Sequence, residues 1–144
     1  MNQRTWRIVG GVAITICFDW MFPEAARSLA LGGAEVIAHP SNLVLPGWCQ
    51  DAMRIRSMEN RIYSATANRF GSESRTPRPT LDFTGASQIV SPRGEVLTKA
   101  EAEGVALLRS AIDVSAARDK SIPSGNDVMG DRRPDWYRQI IATR

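Results

Sequence analysis

From residue 8 to residue 16 the chain reads Ile-Val-Gly-Gly-Val-Ala-Ile-Thr-Ile, nearly continuous in apolarity and rich in β-branched side chains. Such a run predicts a strand buried on both faces, because β-branched residues fit a pleated backbone and no polar alternation marks a solvent side. It stops at Cys17, and a helix start follows near Pro23. Proline suits a first helical turn, Glu24 complements the positive helix end, and Ala26, Leu29 and Ala30 form an apolar stripe. Gly32-Gly33 then supplies a stop. A buried strand that feeds a helix through a short turn is the opening unit of a layered α/β fold.

The rest of the chain extends that pattern. A short apolar run at 36–38 predicts a second strand, closed by His39-Pro40. A loop with Ser41, Asn42 and Pro46-Gly47 leads into a second predicted helix over 48–60, where Trp48, Ala52 and Ile55 fall at i, i+4 and i+7. Residues 62–68 read as a strand and 71–79 as a polar loop rich in Pro and Arg. Two strands, 88–90 and 95–97, are joined by a Pro-Gly turn. Residues 105–113 predict another strand, and Ser115 is placed to cap a short helix to about 120. From 122 to 144 the chain is a charged tail punctuated by Gly and Pro. No internal repeat is visible.

Composition narrows the function classes. The chain has 144 residues, of which 43% are hydrophobic and 23% charged, the balance of a globular domain. Its net charge of +3 comes from scattered arginines, without a block of like charge or a nucleic-acid-binding motif, so no nucleic-acid partner is expected. The two cysteines, Cys17 and Cys49, have no CxxC neighbour, which fits a reducing compartment. The apolar stretch at 8–18 is shorter than a membrane span, and Asp19-Trp20-Met21-Phe22-Pro23 is a poor signal-cleavage site. A cytoplasmic location without a membrane partner is the expectation. Metal-ligand clusters, phosphate loops and a GxSxG elbow are all absent from the sequence, so neither a metal nor a cofactor is expected.

Cys17 carries the chemistry that spacing can suggest. A thiol at a strand-to-helix turn meets unpaired backbone N–H groups and the positive helix end, and both favour the thiolate. The N–H of Phe18 would face an oxyanion formed on a substrate attacked by that sulfur. On position alone, an inert, buried cysteine is the favoured reading. His39, the single histidine, is the one candidate base for a Cys–His dyad, though a structural role also fits it. Asp19 and Glu24 suit helix capping and ion pairing, and Cys49 suits burial. Spacing alone yields a nucleophile and no convincing base.

Residues 16–24, Ile-Cys-Phe-Asp-Trp-Met-Phe-Pro-Glu, resemble the signature around the nucleophile of the nitrilase superfamily of carbon–nitrogen hydrolases. His39-Pro40-Ser41-Asn42 resembles the segment after the next strand. Arg56 to Arg61 with Ala67-Asn68-Arg69-Phe70-Gly71, then 83–94, then Asp131-Arg132-Arg133-Pro134 with Tyr137, resemble three further blocks in the family's order. The resemblance spans about 7–138. It implies an α/β fold, the C-terminal half of a four-layer α-β-β-α sandwich, with 1–144 forming a single partial domain and 122–144 an extended tail.

The resemblance also implies a mechanism. A cysteine thiolate attacks a small-molecule amide or nitrile, ammonia or an amine leaves, and water cleaves the resulting thioester or thioimidate. By position, Cys17 matches the nucleophile, the Phe18 backbone the oxyanion donor and Asn42 a pocket-lining segment. Asp19, Glu24 and Glu59 match supporting positions around the site. The family's catalytic glutamate, lysine and additional glutamate precede the cysteine, whereas none of the sixteen residues before Cys17 is Lys or Glu. The chain alone is therefore expected to hydrolyse nothing at a useful rate, with an N-terminal half missing. The segments 23–31 and 48–60 are the expected face of a homo-oligomer. A non-catalytic remnant serving as a binding or assembly subunit is the alternative, and a self-contained Cys17–His39 hydrolase is a third reading.

Overall fold

A computed structural model describes residues 11–123 and 125–142. Residues 8–10 of the apolar run lie outside the described residues.

Strands β1 (Val12–Ile14), β2 (Val36–Ser41) and β3 (Tyr63–Asn68) run parallel, with Val12 opposite Val36 and Val36 opposite Tyr63. Helix α1 (Pro23–Leu31) carries the chain from β1 to β2, and α2 (Trp48–Asn60) carries it from β2 to β3. A hairpin, β4 (Phe70–Glu73) with β5 (Leu81–Thr84), stands apart from this sheet. The chain then returns as β6 (Gln88–Val90) and β7 (Val96–Lys99), both antiparallel to their neighbours. The sheet order is β1-β2-β3-β6-β7. A two-residue pair, β8 (Ser121–Ile122) with β9 (Asn126–Asp127), opens the tail.

Both helices pack on one face of the sheet. Ala13 of β1 and Ile37 of β2 join Ala26, Leu29, Ala30, Cys49 and Met53 in a single buried cluster. Several polar groups are paired within this layer. The Ser57 and Ser64 hydroxyls meet at 2.8 Å, and Gln88 Nε2 donates to Gln50 O at 2.8 Å.

The opposite face is open along β1, while on β3 Tyr63 is buried there and its hydroxyl donates to Asp113 O at 2.9 Å. Val12 is 42% exposed and Ile14 54%, while Ala13 between them is fully buried. The expectation of a strand covered on both faces is thus corrected: β1 alternates, because helices cover one side and, among the described residues, nothing covers the other. An open apolar sheet face is one half of a sandwich interior.

Helix α2 corrects a second expectation. Of its stripe, Trp48 and Ile55 point outward and only Ala52 packs against the core, while the buried face is Cys49, Gln50, Met53, Ser57 and Asn60. Hydrogen bonds make this polar face suitable for burial. Ser57 pairs with Ser64, and Asn60 Nδ2 donates to Arg56 O at 2.8 Å.

Further differences lie near the tail. Residues 105–113 form no strand, although they are apolar enough for one: Val105 is 95% exposed and Leu107 78%. They have no neighbouring strand to pair with among the described residues. The cap predicted at Ser115 falls to Asp113, whose carboxylate accepts from Ser115 N at 2.9 Å, and only a 3-10 turn, Val114–Ala117, follows. The predicted polar loop at 71–79 begins inside the β4–β5 hairpin. The tail is anchored by Arg27, which donates to Glu59 O at 2.8 Å and Val128 O at 3.3 Å.

Candidate active site at the carboxyl ends of the parallel strands

In parallel α/β sheets, ligands gather outside the carboxyl ends of the strands, where chain reversals expose backbone groups. Cys17 lies there, three residues past β1. The chain enters in extended form, with Ile16 at φ −127°. Cys17 then turns into the left-handed region at φ +48° and opens a 3-10 helix, Cys17–Met21. A residue with a Cβ adopts that conformation at a cost of about 1–3 kcal/mol, so it persists where neighbouring contacts impose it. The predicted helix mouth is corrected in one respect: a 3-10 turn separates the sulfur from α1, which begins only at Pro23.

The turn fixes the surrounding groups. The Asp19 carboxylate accepts from Ile16 N at 2.8 Å, and Asp19 N donates to Ile16 O at 3.1 Å. The first N–H groups of a helical turn have no partner within it, which leaves the Phe18 N–H beside the thiol side chain's own residue. Phe18 itself is exposed, with its ring edge-on to Trp20 and Phe22. Cys17 is half-buried, and its sulfur lies 4.0 Å from the Asn42 carbonyl on the loop after β2. The predicted pair Cys17 and Asn42 is thus brought together.

That loop is held from β3. Asn68 Oδ1 accepts from Leu43 N at 2.9 Å, and its amide nitrogen donates to Gly85 O at 2.6 Å and Thr84 Oγ1 at 3.0 Å. Gly85 itself passes so close to the Ala102 carbonyl that a Cβ there would clash with it.

His39 is buried directly behind the turn. Its Nε2 is 2.8 Å from Cys17 O, and its Nδ1 is 3.2 Å from Thr66 Oγ1 and 3.9 Å from Cys49 Sγ. Burial lowers its pKa, against the opposing pull of the Cys17 carbonyl and Asp19. Cys49 is fully buried, and that burial, with Cys17 nearby, pushes its thiol up to about 12. The inert-cysteine description therefore fits Cys49.

Glu24 and Glu59 fall elsewhere. Both line a hollow of about 600 Å³ between α1 and the tail, with Arg27, Arg132 and Tyr137, and Cys17 is not part of it. Glu59 pairs with Arg56 at 3.1 Å. Neither lysine reaches the cysteine: Lys120 Nζ donates to Asn60 O and Arg61 O, and Lys99 ends β7 at the opposite edge of the sheet from β1. No group of three or more potential metal ligands occurs among the described residues.

The sequence reading missed Ser41 and Thr66 beside His39, while Cys49, read as buried, completes the set. Thr66 stands opposite His39 in the β2–β3 register, and the polar alternation Ser64-Ala65-Thr66 in a strand facing helices was the available signal.

Known proteins resemble the chain in sequence and in fold. The carbon-nitrogen hydrolase family profile matches residues 7–120. A nitrilase of Pyrococcus abyssi is 47% identical over 126 residues, which cover 88% of this chain and 46% of the relative. The crystal structure of a carbon-nitrogen hydrolase from Helicobacter pylori G27 superposes with a TM-score of 0.77 at 25% identity, covering 91% of this chain and 49% of the other. A mutant amidase from Nesterenkonia sp. AN1, with covalent addition of the acetamide moiety of fluoroacetamide at its active site cysteine, gives 0.65 at 27% identity, covering 90% and 44%. The chain belongs to the carbon-nitrogen hydrolase family. It spans about half the length of the curated relatives it matches.

Proposed function

We propose that this chain carries the nucleophile half of an amide- or nitrile-hydrolysing site, with Cys17 as the attacking residue. The observation that carries the reading is the left-handed turn at Cys17, placed at the carboxyl end of β1 with a half-buried, accessible thiol. The covalent adduct on the active site cysteine of the Nesterenkonia amidase supports it. In this reading Cys17 Sγ bonds to the carbonyl carbon of an amide, the C–N bond breaks, and the amine leaves with a proton as a thioester forms. Water then adds to the thioester, releasing the acid and regenerating the thiol; a nitrile instead takes up the thiol across its C≡N bond as a thioimidate, which one water converts to the thioester with release of ammonia before a second water frees the acid. The Phe18 N–H donates to the developing oxyanion and Asn42 lines the pocket, while Asp19 holds the turn.

The acid/base and lysine functions come from protein outside this chain's described residues. The bare apolar face with Val12 and Ile14 favours that view, since additional strands would bury it. Losing one oxyanion donor costs about 2.7–4 kcal/mol at each tetrahedral step, so the chain by itself turns over no amide at a useful rate, and only an activated ester, whose leaving group needs no proton, acylates it. A cytoplasmic setting suits the free thiols. The outward residues Trp48, Ile55 and Met58 of α2 and Leu31 of α1 are consistent with a homo-oligomer formed through 23–31 and 48–60. The same exposed surfaces are what favours the second reading, a non-catalytic assembly subunit.

An activated ester separates the two. p-Nitrophenyl acetate should release about one equivalent of nitrophenolate per chain and then stop, because acylation needs only the nucleophile and its oxyanion donor. The burst should vanish in Cys17→Ser. Absence of a burst in the folded wild-type protein supports the assembly subunit, and sustained amide hydrolysis would overturn the need for outside groups.

A further inference from the structure

His39 is bonded to the backbone of the proposed nucleophile, not to its sulfur. A carbonyl oxygen only accepts hydrogen bonds, so the 2.8 Å contact from His39 Nε2 to Cys17 O places the proton on Nε2. Ser41 Oγ lies over the ring, 2.9 Å from Nε2 and 3.4 Å from Nδ1, off the N–H direction, so that proton belongs to the Cys17 carbonyl. Nδ1 is then the unprotonated nitrogen and accepts from Thr66 Oγ1 at 3.2 Å, with Cys49 Sγ at 3.9 Å on the same side. Both nitrogens are engaged, and the lone pair is directed at Thr66 and Cys49. This removes His39 as the base of a Cys17–His39 dyad.

The arrangement has a mechanical consequence. Thr15 N donates to Ala38 O at 3.1 Å, so the chain just before the turn is zipped onto β2. One residue further along β2, the imidazole takes hold of the chain just after it has turned. The Asp19 carboxylate grips the other side of Cys17 through Ile16 N. Cys17 is thus clamped before and after its α-carbon in a conformation that a residue with a Cβ does not hold on its own.

We propose that His39 is a positioning residue for Cys17: its Nε2–H holds the Cys17 carbonyl and so maintains the left-handed turn that presents the thiol. The proposal rests on the reading of Cys17 as the reacting residue. Its ring is itself locked by Thr66 across the β2–β3 register and is 1% exposed. Neutral His39 serves this role, and burial keeps it neutral.

Two near-isosteres test the geometry in the full chain. Glutamine can place an N–H near the Nε2 position, whereas asparagine reaches only toward Nδ1. Backbone hydrogen exchange over residues 18–22 and the rate of Cys17 labelling by iodoacetamide are the readouts. Labelling of buried Cys49 reports any general loss of folding. His39→Asn should exchange about tenfold faster in the turn, equivalent to ~1.4 kcal/mol, with α1 amides unchanged and Cys17 labelled more slowly. His39→Gln should restore both readouts. A folded His39→Asn that matches wild type, or His39→Gln that behaves as His39→Asn, would overturn the proposal. If turn exchange depends on His39 but wild-type Cys17 labels no faster than Cys49, the positioning role stands and Cys17 as the reacting residue falls.

Discussion

Two isoleucines on neighbouring strands separate a one-sided sheet from a covered one. Ile37 of β2 is 1% exposed in the helix-packed core, and Ile14 of β1 is 54% exposed on the opposite face. Truncation to alanine removes the same groups from each, with a similar change in strand propensity. At Ile37 the deleted atoms contribute about 2.4 kcal/mol of transfer free energy, at about 0.8 kcal/mol per methylene-sized group. The cavity left behind brings the expected loss to about 3–4 kcal/mol, within the usual range of about 2–5. At Ile14 only about half of that surface leaves water and no cavity forms, so the loss is about 1 kcal/mol. Urea unfolding should give a midpoint lower for Ile37→Ala than for Ile14→Ala by roughly 1–2 M, with equal slopes. Equal losses at the two positions would refute the bare face. If the loss at Ile14 also grew with protein concentration, a second copy would be the cover.

Three further outcomes follow from buried polar groups. Burial depresses the folded pKa of His39 below its usual value near 6.5. Above that pH both states are neutral; below it the unfolded chain takes up a proton that the folded state resists, so stability falls as pH drops toward the folded pKa. Urea midpoints at neutral and mildly acidic pH should show this slope, and His39→Gln should flatten it; an unchanged slope excludes His39 as the source. Ser57→Ala or Ser64→Ala alone orphans a hydroxyl and should cost about 1–3 kcal/mol, while the double variant should cost less than the sum; an additive double-mutant cycle contradicts the 2.8 Å pair. Arg27→Met should remove the bridge from Glu59 O of α2 to Val128 O of the tail, seen as faster hydrogen exchange over residues 125–142; unchanged exchange means the tail is held by other contacts.

The elements legible in the sequence were those with local causes. Pro23 at the first helical turn, Gly32-Gly33 after the last, and the Pro-Gly turn between β6 and β7 act within a few residues, and the structure has those boundaries. Errors arose where distant partners decide. The α2 stripe was inverted because Gln50, Ser57 and Asn60 meet polar partners inside, whereas Trp48 and Ile55 do not reach the core. Residues 105–113 have a strand's composition without a strand to pair with among the described residues. At the site, Cys17 was placed by its strand-to-helix position and by the resemblance. Its left-handed turn and the engagement of His39 through a carbonyl were invisible, since backbone conformation and hydrogen-bond direction leave no mark on residue spacing.

Competition between the two thiols for a limiting alkylating reagent addresses the site most directly. The structure has Cys17 accessible at the turn and Cys49 fully buried with its pKa near 12. Peptide mapping after brief exposure of the folded chain to iodoacetamide should find the adduct on Cys17 before any on Cys49, with both modified once urea unfolds the chain. An adduct that appears on both cysteines at the same rate, or on Cys49 first, would contradict Cys17 as the presented thiol.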